Sequence, residues 1–399
     1  MLFRSFLHRA NLRLLRLLVN LTPPVNYMAF SGSGSSDQLC GHIRQSGITR
    51  VLVVSDKELS RLGILERVIK GLRSRDIDVE IYDGVLPDPT FEHVEDGAFI
   101  MRCHGSEAVL GVGGGSCMDA AKIIAAAATC DENPRDWIGF SKIKHGVPPI
   151  FCIPTTSGTG SETTMGGVIK DSRRREKTII SDPKLMPAAA ALDSELSIGL
   201  PPMITAATGM DALTHAIEAY ISLWERGTSR SSAAAAVRLI YEYLPTACSD
   251  GSNLEAREAM SLAAYYAGMA INQVNVGNVH AIAHQLGGRY GIPHGIANAM
   301  VLPHVLEFSK NETESMLAEL GRLVGLEEVD SSNSEVANAF IESVSNLRIE
   351  IGIPSQSDLI KVEDCSDLAD SAVREGRGYT VRKLLDKETA VDILQKLTR

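Results

Sequence analysis

Apolar positions alternate between two periods along the first half of the chain. Arg50-Val51-Leu52-Val53-Val54-Ser55 is a continuous β-branched run, which suits a parallel strand buried on both faces. Residues 57–74 then carry Leu59, Leu62, Ile64, Leu65, Val68, Ile69 and Leu72 at helical spacing. The alternation continues with a short strand at Val79–Tyr82, a helix over 91–104 and a strand at Ala108–Leu110. A helix from about Cys117 to Thr129 and a strand at Ile150–Ile153 follow. Strands alternating with helices predict a doubly wound parallel sheet. From Pro201 onward the pattern changes to Ala-rich segments of helical length, over 206–222, 229–247, 254–272, 278–287, 295–309 and 335–350. The pattern therefore predicts an α/β domain over 23–200 and an all-helical domain over 201–399.

The first 22 residues stand apart from both. They interleave Leu14, Leu15, Leu17, Leu18 and Leu21 with Arg4, Arg9, Arg13 and Arg16, and Pro23-Pro24 ends the run. No acid occurs in residues 1–36, whereas the whole chain has 39 Lys and Arg against 49 Asp and Glu, a net charge of −10. A basic amphipathic segment of this kind predicts a peripheral membrane contact, with an oligomer contact or a targeting segment as the competing readings. The acidic balance of the rest argues against nucleic acid as a partner. With 399 residues the chain is long enough for two full cores. Seven scattered cysteines without a C-x-x-C pair predict reduced thiols in a cytoplasmic protein.

Two Gly-rich turns lie at strand ends. Gly111-Val112-Gly113-Gly114-Gly115-Ser116 leads from a strand into a helix, where bare backbone N–H groups and the helix dipole favour a phosphate. It departs from G-x-G-x-x-G. Pro154-Thr155-Thr156-Ser157-Gly158-Thr159-Gly160-Ser161-Glu162 offers hydroxyls at the carboxyl end of the next strand, where open α/β sheets bind ligands. Asp56 ends the first strand and suits either a ribose hydroxyl, against a 2′-phosphate, or a helix cap.

The helical half holds a different constellation. Asp211 and His215 are one helical turn apart, as are His280 and His284, and His294 follows the breakers Gly291 and Pro293. Gly287-Gly288 and Gly291-Ile292-Pro293 predict the turn before His294. One carboxylate and two or three imidazoles from two helices form a donor set for a divalent transition metal. The competing reading is a set of unrelated core and surface histidines.

Four stretches in order are similar to the iron-containing (group III) alcohol dehydrogenases. They are Gly113–Lys122 (GGGSCMDAAK), Thr155–Glu162 (TTSGTGSE), Thr205–Tyr220 (TAATGMDALTHAIEAY) and His280–Gly288 (HAIAHQLGG). The similarity runs from about Pro24 to the C-terminus. It implies a Rossmann-like dinucleotide-binding domain, an all-α metal-binding domain, and a divalent metal in the cleft between them. By motif position the ligands would be Asp211, His215, His280 and His294, with His284 handling the proton. Gly113, Gly114, Gly115, Ser116, Asp119, Thr155, Thr156 and Thr159 would hold the cofactor, and Asp56 would favour NAD over NADP. Two departures stand out. Residues 1–22 extend beyond the family's usual start, and Arg377-Gly378-Tyr379-Thr380-Val381-Arg382 replaces an Asn-Pro-Arg stretch near the substrate.

The resemblance thus implies NAD-dependent hydride transfer between a primary alcohol and its aldehyde, assisted by Fe²⁺ with Zn²⁺ as the alternative. The basic extension suggests longer-chain alcohols and a membrane-associated cytoplasmic enzyme, and a homodimer or higher homo-oligomer is expected. A dehydroquinate-synthase-like lyase would need a Lys and Arg cluster that these motifs do not offer. A glycerol-dehydrogenase-like enzyme and a non-catalytic binding protein are the remaining alternatives; the latter would be expected to lose a ligand or the Gly-rich turn.

Overall fold

A computed structural model describes residues 28–173, 176–327 and 330–399. The basic segment 1–22 lies outside the described residues. By its contacts the described chain divides into two units. One runs to Leu200 and includes Gly251–Gly268; the other comprises Pro201–Asp250 and Met269–Arg399.

The first unit is built on a six-stranded sheet. Its strands are β1 (Ala29–Ser31), β2 (Arg50–Val54), β3 (Asp78–Tyr82), β4 (Ala108–Gly113), β6 (Ile150–Pro154) and β9 (Ala189–Leu192), in the order β1-β9-β6-β4-β2-β3. Every pairing is parallel. The crossovers are helices α1 (Ser35–Gln45), α2 (Lys57–Arg61), α3 (Ile64–Arg73), α4 (Phe91–His104) and α5 (Gly115–Ala127). Burial on both faces explains the unbroken apolar runs: all six residues of β4 and all five of β6 are buried. A core of Leu39, Ile43, Val51, Val53, Leu72, Leu110 and Phe151 fills one face. Strands β5 (Gly139–Phe140), β7 (Gly166–Asp171) and β8 (Glu176–Ser181) form a separate three-stranded sheet.

The helix expected over 57–74 is two helices. Gly63, at φ 73°, breaks it, because a left-handed residue cannot continue an α-helix. Strand β9 escapes the apolar pattern because its sequence, Ala-Ala-Ala-Leu, lacks the β-branched residues that mark a strand.

The second unit is helical, with α6 (Pro202–Tyr220), α7 (Ser229–Ser249), α9 (Asn278–Tyr290), α10 (His294–Leu323), α11 (Asn333–Glu350), α12 (Cys365–Gly376) and α13 (Lys387–Lys396). Helix α8 (Leu254–Val274) belongs to the first unit up to Gly268 and to the second from Met269. Helix α6 packs on α7 and α10, and α9 packs on α10 and α12. Pro202 occupies the first turn of α6, where its missing N–H costs nothing. At the crossing of α6 and α10 the backbones nearly touch: a Cβ on Gly295 would lie 2.0 Å from the Ala207 carbonyl oxygen. The expected turn is shorter than Gly287–Pro293. Gly287 and Gly288 stay within α9, and the reversal needs Gly291 (φ 67°) and Pro293 alone. Helix α10 continues past the expected end at 309 because its buried face persists to Leu320 and Gly321.

Candidate metal centre

Helix α6 presents Asp211 and His215 on one buried face, α9 presents His280, and His294 is the first residue of α10. One donor atom from each lies within 4.8 Å of the other three. The Nε2 atoms of His215, His280 and His294 stand 3.8, 3.9 and 3.3 Å from Asp211 Oδ1. Burial, offset in part by Asp211, lowers His294 to about 3, and burial with the neighbouring imidazoles pushes His280 well down. Both rings are therefore neutral at ordinary pH. For Asp211, burial works upward, but His215, His294, His280 and Asn298 outweigh it and hold the carboxyl ionised.

Asn298, one turn after His294, shows where the lone pairs point. Its amide nitrogen is 2.7 Å from Asp211 Oδ1 and 3.2 Å from Nε2 of both His280 and His294. Three acceptors thus converge on one small volume. A carboxylate with three imidazoles fits a divalent transition ion in charge and in donor type.

Glu218 fixes this arrangement. It lies three residues after His215 on α6 and reaches the start of α9, accepting Val279 N–H on Oε1 (2.6 Å) and Gly277 N–H on Oε2 (2.7 Å). The same Oε2 is 2.7 Å from His280 Nδ1. That hydrogen bond places the proton on Nδ1 and leaves Nε2 bare as a metal donor. Gly277 must lack a side chain, since a Cβ there would lie 2.7 Å from Glu218 Oε1. Burial, against the pull of those two backbone N–H groups, raises Glu218 to about 7.

His284 stands beside the cluster, its ring stacked on His294 at 5.2 Å between centroids. Its Nδ1 lies 2.5 Å from Glu375 Oε1 on α12, which leaves Nε2 as the nitrogen able to exchange a proton. Gln285 and Tyr379 hold the same carboxylate. Burial works upward on Glu375, and hydrogen bonds from His284, Tyr379 and Gln285 bring it below its ordinary value.

In the first unit the two Gly-rich turns meet at the carboxyl ends of neighbouring strands β4 and β6. Thr155 N–H donates to Gly113 O at 3.0 Å, and Gly114 and Gly115 face Thr156 and Thr159. Gly113, at φ 146°, leaves no room for a side chain, because a Cβ would sit 2.6 Å from Cys117 Sγ. Helix α5 starts after Gly114 with no side-chain cap and no acid in its first turn. An uncapped helix start beside two threonine hydroxyls is an anion cradle. Asp56 ends β2 as the N-cap of α2, accepting Leu59 N–H at 2.9 Å on one oxygen. Asp119 is engaged within the protein. Ser161 Oγ (2.6 Å) and Val168 N–H (2.9 Å) occupy its two oxygens. Beside it the fully buried Lys122 ammonium binds the Ser161 and Gly166 carbonyls, each at 2.7 Å. Asp119 and Lys122 therefore brace the 160–166 loop.

The comparisons decide the family. The model described as iron-containing alcohol dehydrogenase matches residues 27–194, and the C-terminal model of the Fe-containing alcohol dehydrogenase family matches 205–398. The chain belongs to the iron-containing alcohol dehydrogenase family. It is 38% identical to a 1,3-propanediol dehydrogenase of Klebsiella pneumoniae over 92% of this chain and 95% of that one. An NAD-dependent methanol dehydrogenase of Bacillus methanolicus is 37% identical over 88% and 92%. A crystal structure of a 1,3-propanediol oxidoreductase superposes with a TM-score of 0.90 at 36% identity, covering 94% of this chain and all of that one. As an iron-type alcohol dehydrogenase the protein is an oxidoreductase acting on alcohol or aldehyde.

Sequence reasoning gave no role to Glu218, Asn298, Glu375 or Tyr379. Glu218 carried a usable signal, since it follows His215 at i+3 and so shares the metal-facing side of α6. Asn298 bears the same one-turn relation to His294. Glu375 carried none, lying 91 positions from His284 with no spacing to mark the pair.

Proposed function

We propose that the protein is an NAD-dependent, divalent-metal-dependent dehydrogenase of primary alcohols, with the metal held by Asp211, His215, His280 and His294. The observation that carries this reading is the convergence of four donors within 4.8 Å, three of them buried and His294 partly exposed, with the His280 tautomer set by Glu218. The residues fit Fe²⁺, as the family name implies, and accommodate Zn²⁺ with the same donors. When bound, the ion supplies Lewis acidity to an alcohol hydroxyl, and NAD accepts the hydride from the alcohol carbon.

The protein's own groups do the rest. Neutral His280 and His294 donate lone pairs, and ionised Asp211 supplies the negative charge. His284, anchored through Nδ1 by Glu375, takes the hydroxyl proton on Nε2 and passes it to solvent. Gly113, Gly114, Gly115 and Ser116 offer backbone N–H groups to the pyrophosphate, with Thr155, Thr156 and Thr159 as hydroxyl partners. Asp56, at the end of β2, disfavours a 2′-phosphate and so favours NAD over NADP. Asp119 contributes by bracing the 160–166 loop that follows those hydroxyls. The cofactor function belongs to residues 23–200 and the metal function to 201–399.

The test is NADH formation with primary alcohols from ethanol to dodecanol, with metal measured on the same sample. Alcohol-dependent NADH production that a chelator removes and Fe²⁺ or Zn²⁺ restores is expected. Chelator-resistant oxidation, or none with any alcohol, would overturn the proposal. A preference for longer chains rests on residues 1–22, so deleting them should raise KM for long alcohols alone and release the protein from lipid vesicles. Equal KM and equal vesicle binding after deletion would remove that preference.

A further inference from the structure

The connection after α5 gathers three donors of another kind. Cys130 follows the helix end at Ala127, Glu132 lies two positions on, and His145 returns to them near the close of the same connection. One donor atom from each lies within 4.8 Å of the other two. His145 Nε2 is 3.0 Å from the Ala126 carbonyl oxygen, which can only accept, so Nε2 carries the hydrogen. Nδ1 is therefore a bare lone pair, and it is shielded from solvent with no hydrogen-bond partner. Trp137 fixes two of the three groups. Its ring packs on His145 at 5.4 Å between centroids, and its Nε1–H donates to Glu132 Oε2 at 2.8 Å. A histidine grouped with a thiol and a carboxylate, with one ring nitrogen shielded and unpartnered and its tautomer set by a backbone carbonyl, has the arrangement of a metal ligand.

We propose that Cys130, Glu132 and His145 form a second divalent-metal site, suited to Zn²⁺ or another borderline-soft ion. Sulfur, imidazole nitrogen and carboxylate oxygen are the donors such ions take, and a solvent molecule completes a tetrahedron. On binding, the Cys130 S–H bond breaks, its proton passes to solvent, and a sulfur–metal bond forms, so affinity falls as pH falls. Glu132 is exposed and Cys130 partly so, which gives the ion an entry path. The bound ion closes the connection from Cys130 to His145 into a loop and pins it to the last turn of α5 through Ala126.

The two sites differ in one readable way, because the Asp211 cluster contains no sulfur. Full-length protein loaded with Co²⁺ is expected to bind two equivalents and to show a thiolate-to-Co²⁺ charge-transfer band in the near ultraviolet. Co²⁺ should also quench Trp137, one of two tryptophans in the chain. Cys130→Ser and His145→Ala should each bind one equivalent and lose the band, with unchanged far-ultraviolet circular dichroism. Cys103→Ser, at an exposed thiol, should keep both equivalents and the band. A single equivalent in the wild type, a band that survives Cys130→Ser, or a band lost in Cys103→Ser would overturn the proposal.

Discussion

Replacing Glu218 by Gln keeps the side-chain shape and removes one acceptor oxygen. In the wild type three donors converge on the carboxylate, with Val279 N–H at 2.6 Å on one oxygen and Gly277 N–H and His280 Nδ1 each at 2.7 Å on the other. A Gln amide meets them with one oxygen and one NH₂. If its oxygen faces Gly277 and His280, the NH₂ opposes Val279 N–H and strands a buried donor, which costs about 1–3 kcal/mol. If its oxygen faces Val279, the NH₂ meets His280 Nδ1 and imposes the tautomer with hydrogen on Nε2, where the metal lone pair is needed. Losing a partner of this kind weakens metal binding roughly 10–100-fold. At about 1.4 kcal/mol per tenfold, that is ~1.4–2.8 kcal/mol. The assay is chelator competition for the Co²⁺ or Zn²⁺ dissociation constant, with the thermal midpoint of the metal-free protein alongside. It should be run at pH 8, above the value of about 7 to which burial raises Glu218. Weaker metal binding together with a lower metal-free midpoint is expected. An unchanged dissociation constant and an unchanged midpoint in Glu218→Gln would refute the argument.

Three further outcomes follow from the same geometry. His284→Gln should keep its metal and lower kcat by about 10²–10⁴, the range of a general acid–base; wild-type kcat would remove His284 from the proton path. Gly295→Ala puts a Cβ within 2.0 Å of the Ala207 carbonyl, so α10 must shift with His294 on it. A stability loss of about 1–3 kcal/mol is expected from such overpacking, with weaker metal binding; an unaltered melting curve would contradict it. Glu162 is raised by burial from 4.5 to about 7. Its folded form therefore holds a proton that the unfolded chain releases at lower pH, and stability falls as pH rises between those values. The shift corresponds to at most ~3.5 kcal/mol. Glu162→Gln should lessen the fall in the thermal midpoint between pH 5 and 7, leaving the part that Glu218 contributes, and an identical pH slope would disprove the assignment.

Much of the fold was legible because its signals are periodic. The buried runs of β2, β4 and β6 and the Ala-rich helices of the second unit follow from strand and helix spacing. What failed to show is what periodicity does not encode. Gly63 splits one apolar pattern into two helices, and β9 is a strand made almost wholly of alanine. At the metal centre, Asp211 with His215 could be paired from one helical turn. His280 and His294 are brought to them by tertiary packing, and only the family resemblance separated His294 from His284 as a ligand. The groups around them fared worse. Glu375 reaches His284 across 91 positions, and the mate of Cys130 and Glu132, His145, lies across an irregular connection.

Four side chains holding one ion that the reaction requires are the centre of the proposed function. The most direct measurement is bound metal and alcohol-dependent NADH formation on one preparation of His280→Ala beside the wild type. The expected result is one metal equivalent fewer per chain, with alcohol oxidation lost. Full alcohol oxidation by a His280→Ala protein that has lost that equivalent would contradict it.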